Sequence, residues 1–129
     1  MVVLDTHAWL WWVADRTRLS TAATAAIAES ESIGVAAISC WEVAMLVLRG
    51  RIALDRDLAR WVRQALAQQG VVALPLTPPV ALAAALLERE RFGGDPADRM
   101  IYATAREAGA RLITRDARIR EFDPRGTLW

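Results

Sequence analysis

Four acidic residues, Asp5, Glu42, Asp98 and Asp116, recur in similar settings along the chain: "VVLDTHAWLWW", "SCWEVAM", "GGDPADRM" and "LITRDARI". Each stands just after an apolar run or near the start of a helical one. If the fold gathers them, they repel, because two like charges about 4 Å apart cost about 4 kcal/mol at an effective dielectric of about 20. A divalent cation removes that conflict. Carboxylates and water, without sulfur or imidazole, are the donors that suit Mg2+ or Mn2+. Such a site activates water and stabilises the charge of an in-line phosphoryl displacement. The chemistry expected of the four acids is phosphodiester hydrolysis.

The elements that must position them are legible in the hydrophobic pattern. "VVL" reads as a buried strand and "THAWLWWVA" as the helix after it. Ser20 caps an alanine-rich helix running toward Glu31, and "IGVAAI" is the next strand. Ser39 opens the helix "CWEVAMLVLR", which Gly50 ends, and Asp57 starts another that Gly70 closes. "VVALPL" follows as a strand, and Pro78 and Pro79 suit the first turn of "VALAAALLERE". After the break "RFGGD", Asp95 and Pro96 start a helix ending near Gly109; then come the strand "RLIT", the short helix "DARIREF" and a last strand in "GTLW". Strands separated by helices imply right-handed crossovers and a mainly parallel sheet. Ligands of such open sheets bind beyond the carboxyl ends of the strands. All four acids are therefore expected at one edge of one domain, residues 1–129.

Each acid also has a local role open to it. "SCWE" fits a capping box with Ser39 as cap and Glu42 three residues on, and "DPAD" repeats it with Asp95 and Asp98. Asp5 and Asp116 fit as caps of the helices after them, where an acid gains about 0.3–1 kcal/mol from the helix dipole. Capping accounts for Asp95 in full. It gives no reason for four helix starts to converge.

Composition narrows the classes. With 129 residues and 54% apolar content, a chain of this size has a core available to it, burying roughly two-thirds of its unfolded surface. Its longest apolar stretches fall short of the ~20 residues that span a bilayer, so no membrane segment is expected. The N-terminus lacks a basic leader, and a single cysteine and a single histidine exclude a disulfide framework or a Cys/His zinc site within one chain. A reducing cytoplasmic setting fits. All sixteen basic residues are arginine, which excludes lysine-dependent chemistry, including that of a phosphoacceptor receiver domain.

The four acidic blocks, in order and spacing, resemble those of PIN-domain ribonucleases, and in particular the VapC-like toxins of bacterial toxin–antitoxin pairs. The resemblance runs from the first strand to the final tryptophan. It implies a three-layer α/β/α fold, an endoribonuclease dependent on Mg2+ or Mn2+, a homodimer, an RNA substrate and a cognate antitoxin that blocks the site. Asp5, Glu42 and Asp98 match the family's acidic metal ligands, Asp116 its more variable fourth acid, and Thr114 a hydroxyl position beside that acid. Ala97 departs from the pattern, standing where a bulky aromatic is usual. A module of the same fold that binds RNA or scaffolds without catalysis is the alternative; the presence of all four acids argues against it.

Several other residues are candidates for roles around the acids. His7 follows Asp5 by two but is more naturally a packing residue, and a nucleophilic pairing of Cys40 with His7 would need no acids. Arg99 and Arg115 are candidates for RNA phosphates, with ion pairing to the acids as the other reading. Trp9, Trp11 and Trp12 exceed what one helix face buries. Trp9 and Trp12 share a face at i, i+3 while Trp11 diverges, so two of the three are expected in the core and the remainder of that surface at a partner chain, a second copy or the antitoxin.

Overall fold

The computed structural model describes residues 1–129. The strands are short: β1 (Val2–Leu4), β2 (Ile33–Ala36), β3 (Val71–Leu74), β4 (Arg111–Ile113) and β5 (Thr127–Leu128). Every pairing among them is parallel, in the order β3-β2-β1-β4-β5. The helices α1 (Thr6–Ala14), α2 (Thr21–Glu29), α3 (Ala37–Leu48), α4 (Leu58–Leu66), α5 (Pro78–Leu86), α6 (Pro96–Glu107) and α7 (Ala117–Phe122) cover its two faces, giving a three-layer α/β/α architecture. None is long and apolar enough to cross a membrane.

The period of two along β1 divides the interior. Val2 and Leu4 join Trp9, Trp12, Ile27, Val43 and Trp61 in one cluster, fed by α1 to α4. Val3 points the other way, into a cluster with Ile101, Tyr102, Leu112 and Ile119 from α6, β4 and α7. Leu112 and Ile113 in β4 divide between the clusters in the same fashion. Because β1 and β4 are covered on both faces, they read as unbroken apolar runs rather than alternating ones.

Helix starts follow the sequence closely, with one exception. Asp5, Ser20, Asp57, Thr77, Asp95 and Asp116 each cap the helix after it with a side-chain acceptor. At α3 the expected cap is wrong. The helix begins at Ala37, directly after β2, its cap residue is Ala36, and no side chain caps it. Ser39 lies inside the first turn, fully buried, so "SCWE" is not a capping box. The strand-to-helix junction needs no loop, and the hydroxyl read as a start signal is used sideways instead.

The tryptophans of α1 divide as the i, i+3 spacing of Trp9 and Trp12 indicates, which removes those two from the candidates for a partner surface. Trp9 is 0% and Trp12 7% exposed, and Trp9 meets Trp61 of α4 edge-on at 5.3 Å. Both belong to the core, so neither offers surface to a partner. The helix buries more than one stripe because α2, α3 and α4 pack around it within the same cluster. Trp11 alone is partly exposed, while the most exposed tryptophan of the chain is Trp41 in α3, at 53%.

Candidate metal centre

Asp5 follows β1 at the carboxyl edge of the sheet. Its backbone N–H donates to the Ile113 carbonyl at 3.0 Å, extending the β1–β4 ladder by one step, and its carboxylate accepts the Ala8 N–H at 2.8 Å. Thr114, one step past β4 and fully buried, stands beside it. The Thr114 oxygen accepts the Asp116 N–H at 3.1 Å. Its proton is thereby left free to face the Asp5 carboxyl, whose pKa the hydroxyl draws back down.

Glu42 comes from the second turn of α3, too far from the helix start to cap it. Its Oε1 accepts the Thr6 hydroxyl at 2.5 Å, and Thr6 Oγ1 lies 3.1 Å from Ser39 Oγ. The single Thr6 proton goes to the carboxylate, and the Ser39 hydroxyl completes the chain behind it. Thr6 and Ser39 are 3% and 0% exposed, so this is a buried two-hydroxyl support for one glutamate. Sequence reading missed it. The available signal was Thr6 itself, a hydroxyl at the first helical position directly after Asp5.

Asp98 enters from α6, where the expected capping box is present in full. Asp95 accepts the Asp98 N–H at 2.9 Å, and Asp98 accepts the Asp95 N–H at 3.2 Å. Gly94 leads into this box, and a β-carbon there would come within 2.6 Å of Asp98 Cβ and 2.5 Å of Phe92. The glycine permits the close approach.

These pieces converge. One cleft of about 490 Å3 is lined by Asp5, Glu42, Asp95, Asp98 and Asp116, with Thr6, His7, Trp11 and Arg115. Within it, one oxygen from each of Glu42, Asp95 and Asp98 lies within 4.8 Å of the others. Asp95, read from its sequence context as a cap first and as support for the site second, is both a cap and a member of this tight trio. The electrostatics record the crowding. Burial, then the Asp95 charge, push Asp98 from 3.8 up to about 6. Burial also raises Asp5 and Glu42, with smaller contributions from neighbouring carboxylates, while the Thr114 and Thr6 hydroxyls pull back down. Asp116 runs the other way. It pairs with Arg118 at 2.9 Å, and that guanidinium holds its carboxyl below the usual value.

The remaining candidates separate cleanly. Arg99 pairs with Glu88 at 2.9 Å and does not line the cleft, so an ion pair, not a phosphate, accounts for it. Arg115 lines the cleft and makes no ion pair. Cys40 sits against α4 in a different groove, and burial raises its thiol, which removes the pairing with His7. His7 lies at the cleft, its ring 5.7 Å from that of Trp11.

An all-carboxylate donor set in which burial first, and neighbouring carboxylates second, raise Asp5, Glu42 and Asp98 fits a hard divalent cation, which would offset both. The sequence matches the PIN domain family over residues 2–124. The chain belongs to the PIN domain family. It is 46% identical over 130 residues to ribonuclease VapC22 of Mycobacterium tuberculosis (strain ATCC 25618 / H37Rv), an alignment covering 99% of this chain and 98% of that protein. Among solved structures, this PIN chain is similar to one from a toxin–antitoxin complex of Klebsiella pneumoniae, with TM-score 0.73, 19% identity, and 100% and 97% of the two chains covered. It is also similar to a chain of VapBC2 from Rickettsia felis bound to a fragment of promoter DNA, with TM-score 0.67, 13% identity, and 95% and 94% covered. At those identities the likeness is one of fold.

Proposed function

We propose that this PIN chain is a divalent-metal-dependent endoribonuclease that serves as the toxin of a toxin–antitoxin pair. The observation carrying the proposal is the convergence on one cleft of Asp5, Glu42, Asp95, Asp98 and Asp116 from four separate chain segments. Local helix capping does not account for it, because Glu42 caps nothing. Asp5, Glu42 and Asp98 are the residues that would hold Mg2+ or Mn2+, with Asp95 beside them and Asp116 on the flank. A cation there would supply Lewis acidity and a water acidic enough to attack phosphorus near neutral pH.

The chain's own groups prepare that site. Thr6 holds Glu42 in a fixed orientation through its hydroxyl donor, as outer groups around a metal commonly do, and the Thr114 hydroxyl beside Asp5 favours the charged form of that carboxylate. Arg118 neutralises part of the Asp116 charge at the cleft's edge, which lowers the repulsion an RNA phosphate meets on entry.

An antitoxin partner is supported by the relatives, the Klebsiella pneumoniae neighbour being taken from a toxin–antitoxin complex. A homodimer is supported by a different surface. Residues 70–87 carry no charged side chain, and Val72 on the edge strand β3 with Leu76, Leu82 and Leu86 around α5 are all exposed. An uncharged sheet edge beside an apolar helix is the kind of surface that a second copy covers.

The test uses the purified chain with Mn2+, with Mg2+ and with chelator, followed by thermal unfolding and by cleavage of single-stranded RNA. A rise in Tm with metal, and cutting that chelator abolishes, are expected. RNA left intact in all three conditions, with no shift in Tm, would favour the non-catalytic module.

A further inference from the structure

Trp11 is the one tryptophan of α1 left at the cleft, and four side chains gather on it. Trp129, the last residue, meets it edge-on at 5.6 Å, and His7 stands 5.7 Å away. The Arg18 guanidinium lies over the ring at 4.8 Å and that of Arg115 at 6.0 Å. Neither arginine takes part in any of the three ion pairs of the chain. They differ in this from Arg118 and Arg99, which are tied to Asp116 and Glu88.

This arrangement is unusual for a site whose floor is five carboxylates. Arginines free to turn toward those acids would pair with them. Here the ring of Trp11, packed edge-on by Trp129 and at a tilt by His7, offers a competing seat through cation–π contact. One guanidinium, that of Arg115, is thus held in the lining of the acidic cleft, and the other, that of Arg18, on the Trp11 ring that also lines it, both with their N–H groups unspent. A guanidinium in that state matches a phosphate through paired, charge-assisted hydrogen bonds.

We infer that Trp11 seats Arg18 and Arg115 as a clamp for RNA phosphates flanking the one that is cut. The inference rests on the nuclease reading and adds the residues that bring the strand in. The clamp offsets the repulsion between a polyanionic strand and the carboxylate floor, and it sets the direction in which the strand leaves the cleft. Arg18, Arg115 and Trp11 are positioning residues, since none of them reaches the carboxylate trio.

The test measures binding of a fluorescently labelled, mixed-sequence single-stranded RNA in Mn2+ across a salt series. The Asp98→Asn chain is the parent, so that the strand survives. Each phosphate contact on a single strand contributes about 0.7 to the slope of log affinity against log salt. The pair Arg18→Ala and Arg115→Ala should lower that slope by about 1.4 and weaken binding by about tenfold at low salt. Arg18→Lys with Arg115→Lys should keep most of the slope while losing part of the affinity, because an ammonium keeps the charge but not the planar fit. Trp11→Leu, which leaves both arginines present, should weaken binding several-fold. Since that variant can fail to fold, the arginine pair is the deciding variant, both residues being exposed and free of ion pairs. In the active chain the same pair should raise KM and leave the Mn2+ shift in Tm unchanged.

An unchanged slope and affinity in a parent that binds RNA would overturn the clamp and leave the nuclease standing. The same holds if the pair loses an acidic protein partner while RNA binding stays intact, for then the two arginines serve that partner. If the wild-type chain neither binds nor cuts RNA, the nuclease reading fails and the clamp falls with it.

Discussion

Two helix starts deliver carboxylates to the same cleft by opposite means. At α6, Asp95 and Asp98 satisfy each other's backbone N–H groups, and everything about their placement follows from capping. At α3 the start carries no side-chain cap, and Glu42 reaches the cleft from the second turn, steadied by Thr6 and Ser39. The complete capping box at α6 does not reduce the case for function there, because Asp98 is also the acid raised to about 6 by burial and its neighbours. A structural duty and a chemical one can share a side chain. The acid without a local duty is the better evidence that the cleft was assembled for a ligand.

The largest expected effect breaks the comparison at its chemical end. Glu42→Gln and Asp98→Asn each remove one charge and keep the shape, and both should abolish cleavage and sharply reduce the Mn2+ shift in Tm, since a weaker dissociation constant transmits less stabilisation. Metal-free stability should hold or rise in both, because crowding is relieved. Alanine then separates the two sites: Asp98→Ala should also lose about 1 kcal/mol of helix-start stability, while Glu42→Ala has no cap to lose. A normal Mn2+ shift with normal cleavage in Asp98→Asn would return that residue to capping alone.

The second effect is a dependence on pH. Asp5, Glu42 and Asp98 all have folded pKa values above their ordinary ones. For such acids the folded state holds protons more tightly than the unfolded one, so metal-free stability is greatest below the unfolded value and is lost as pH rises through the folded value. Between about pH 4 and pH 6 the chelated protein should therefore gain Tm from Asp98 on acidification, with Asp5 and Glu42 acting in the same direction. Asp98→Asn should flatten that gain. Saturating Mn2+ should reverse the trend, since its ligands must be deprotonated. Asp116 and Asp123, both lowered, act only below this window.

Much of this was legible in the sequence, and what was not has a physical reason. Strand order aside, the alternation of elements followed from apolar runs and punctuation, and five of the six side-chain caps fall on residues that the pattern singled out, Thr77 being the exception. The error at Ser39 came from treating a hydroxyl near a helix start as a cap, although β2 runs into α3 without a loop to be capped. Trp9 and Trp12 share a face at i, i+3 and enter the core together, as that spacing indicates; they drop out as candidates for a partner surface because α1 is packed by three helices and the sheet. Asp95 was legible as a cap and as a neighbour of the site, but its distance to Glu42 depends on tertiary packing. Thr6 acts on a tertiary neighbour 36 residues away and Arg118 on a local one two residues away, and only the second spacing could have been guessed.

A smaller effect sharpens the α3 side. Thr6→Val keeps the β-branched shape and removes the donor to Glu42. It leaves the Ser39 hydroxyl without its buried partner, at a cost of about 1–3 kcal/mol. Loss of an orienting group around a metal commonly lowers affinity or activity by about 10–100-fold. Thr6→Val is expected in that range, with the metal-free fold retained; Thr6→Ser should restore most of the loss. Equal activity in Thr6→Val and wild type would mean that Glu42 needs no support.

The smallest expected effect is at Asp95, where both roles meet in one residue. Asparagine caps nearly as well as aspartate and keeps the carbonyl that accepts the Asp98 N–H, so Asp95→Asn should change metal-free stability by no more than about 0.5 kcal/mol from the cap itself. Its charge is the second contributor to the raised Asp98 pKa, after burial, so removing it should lower that pKa and free Asp98 for metal at a lower pH. Two consequences oppose each other. The cation loses a nearby negative charge, but Asp98 sheds its proton more readily. If Asp95 only modulates its neighbour, Mn2+ binding measured against pH should shift its midpoint downward by a fraction of a unit, with a plateau near that of the wild type. If Asp95 is itself a ligand, the plateau should fall and the shift in midpoint should not compensate. The first pattern would leave α6 with one ligand and one cap, and the second would give it two ligands.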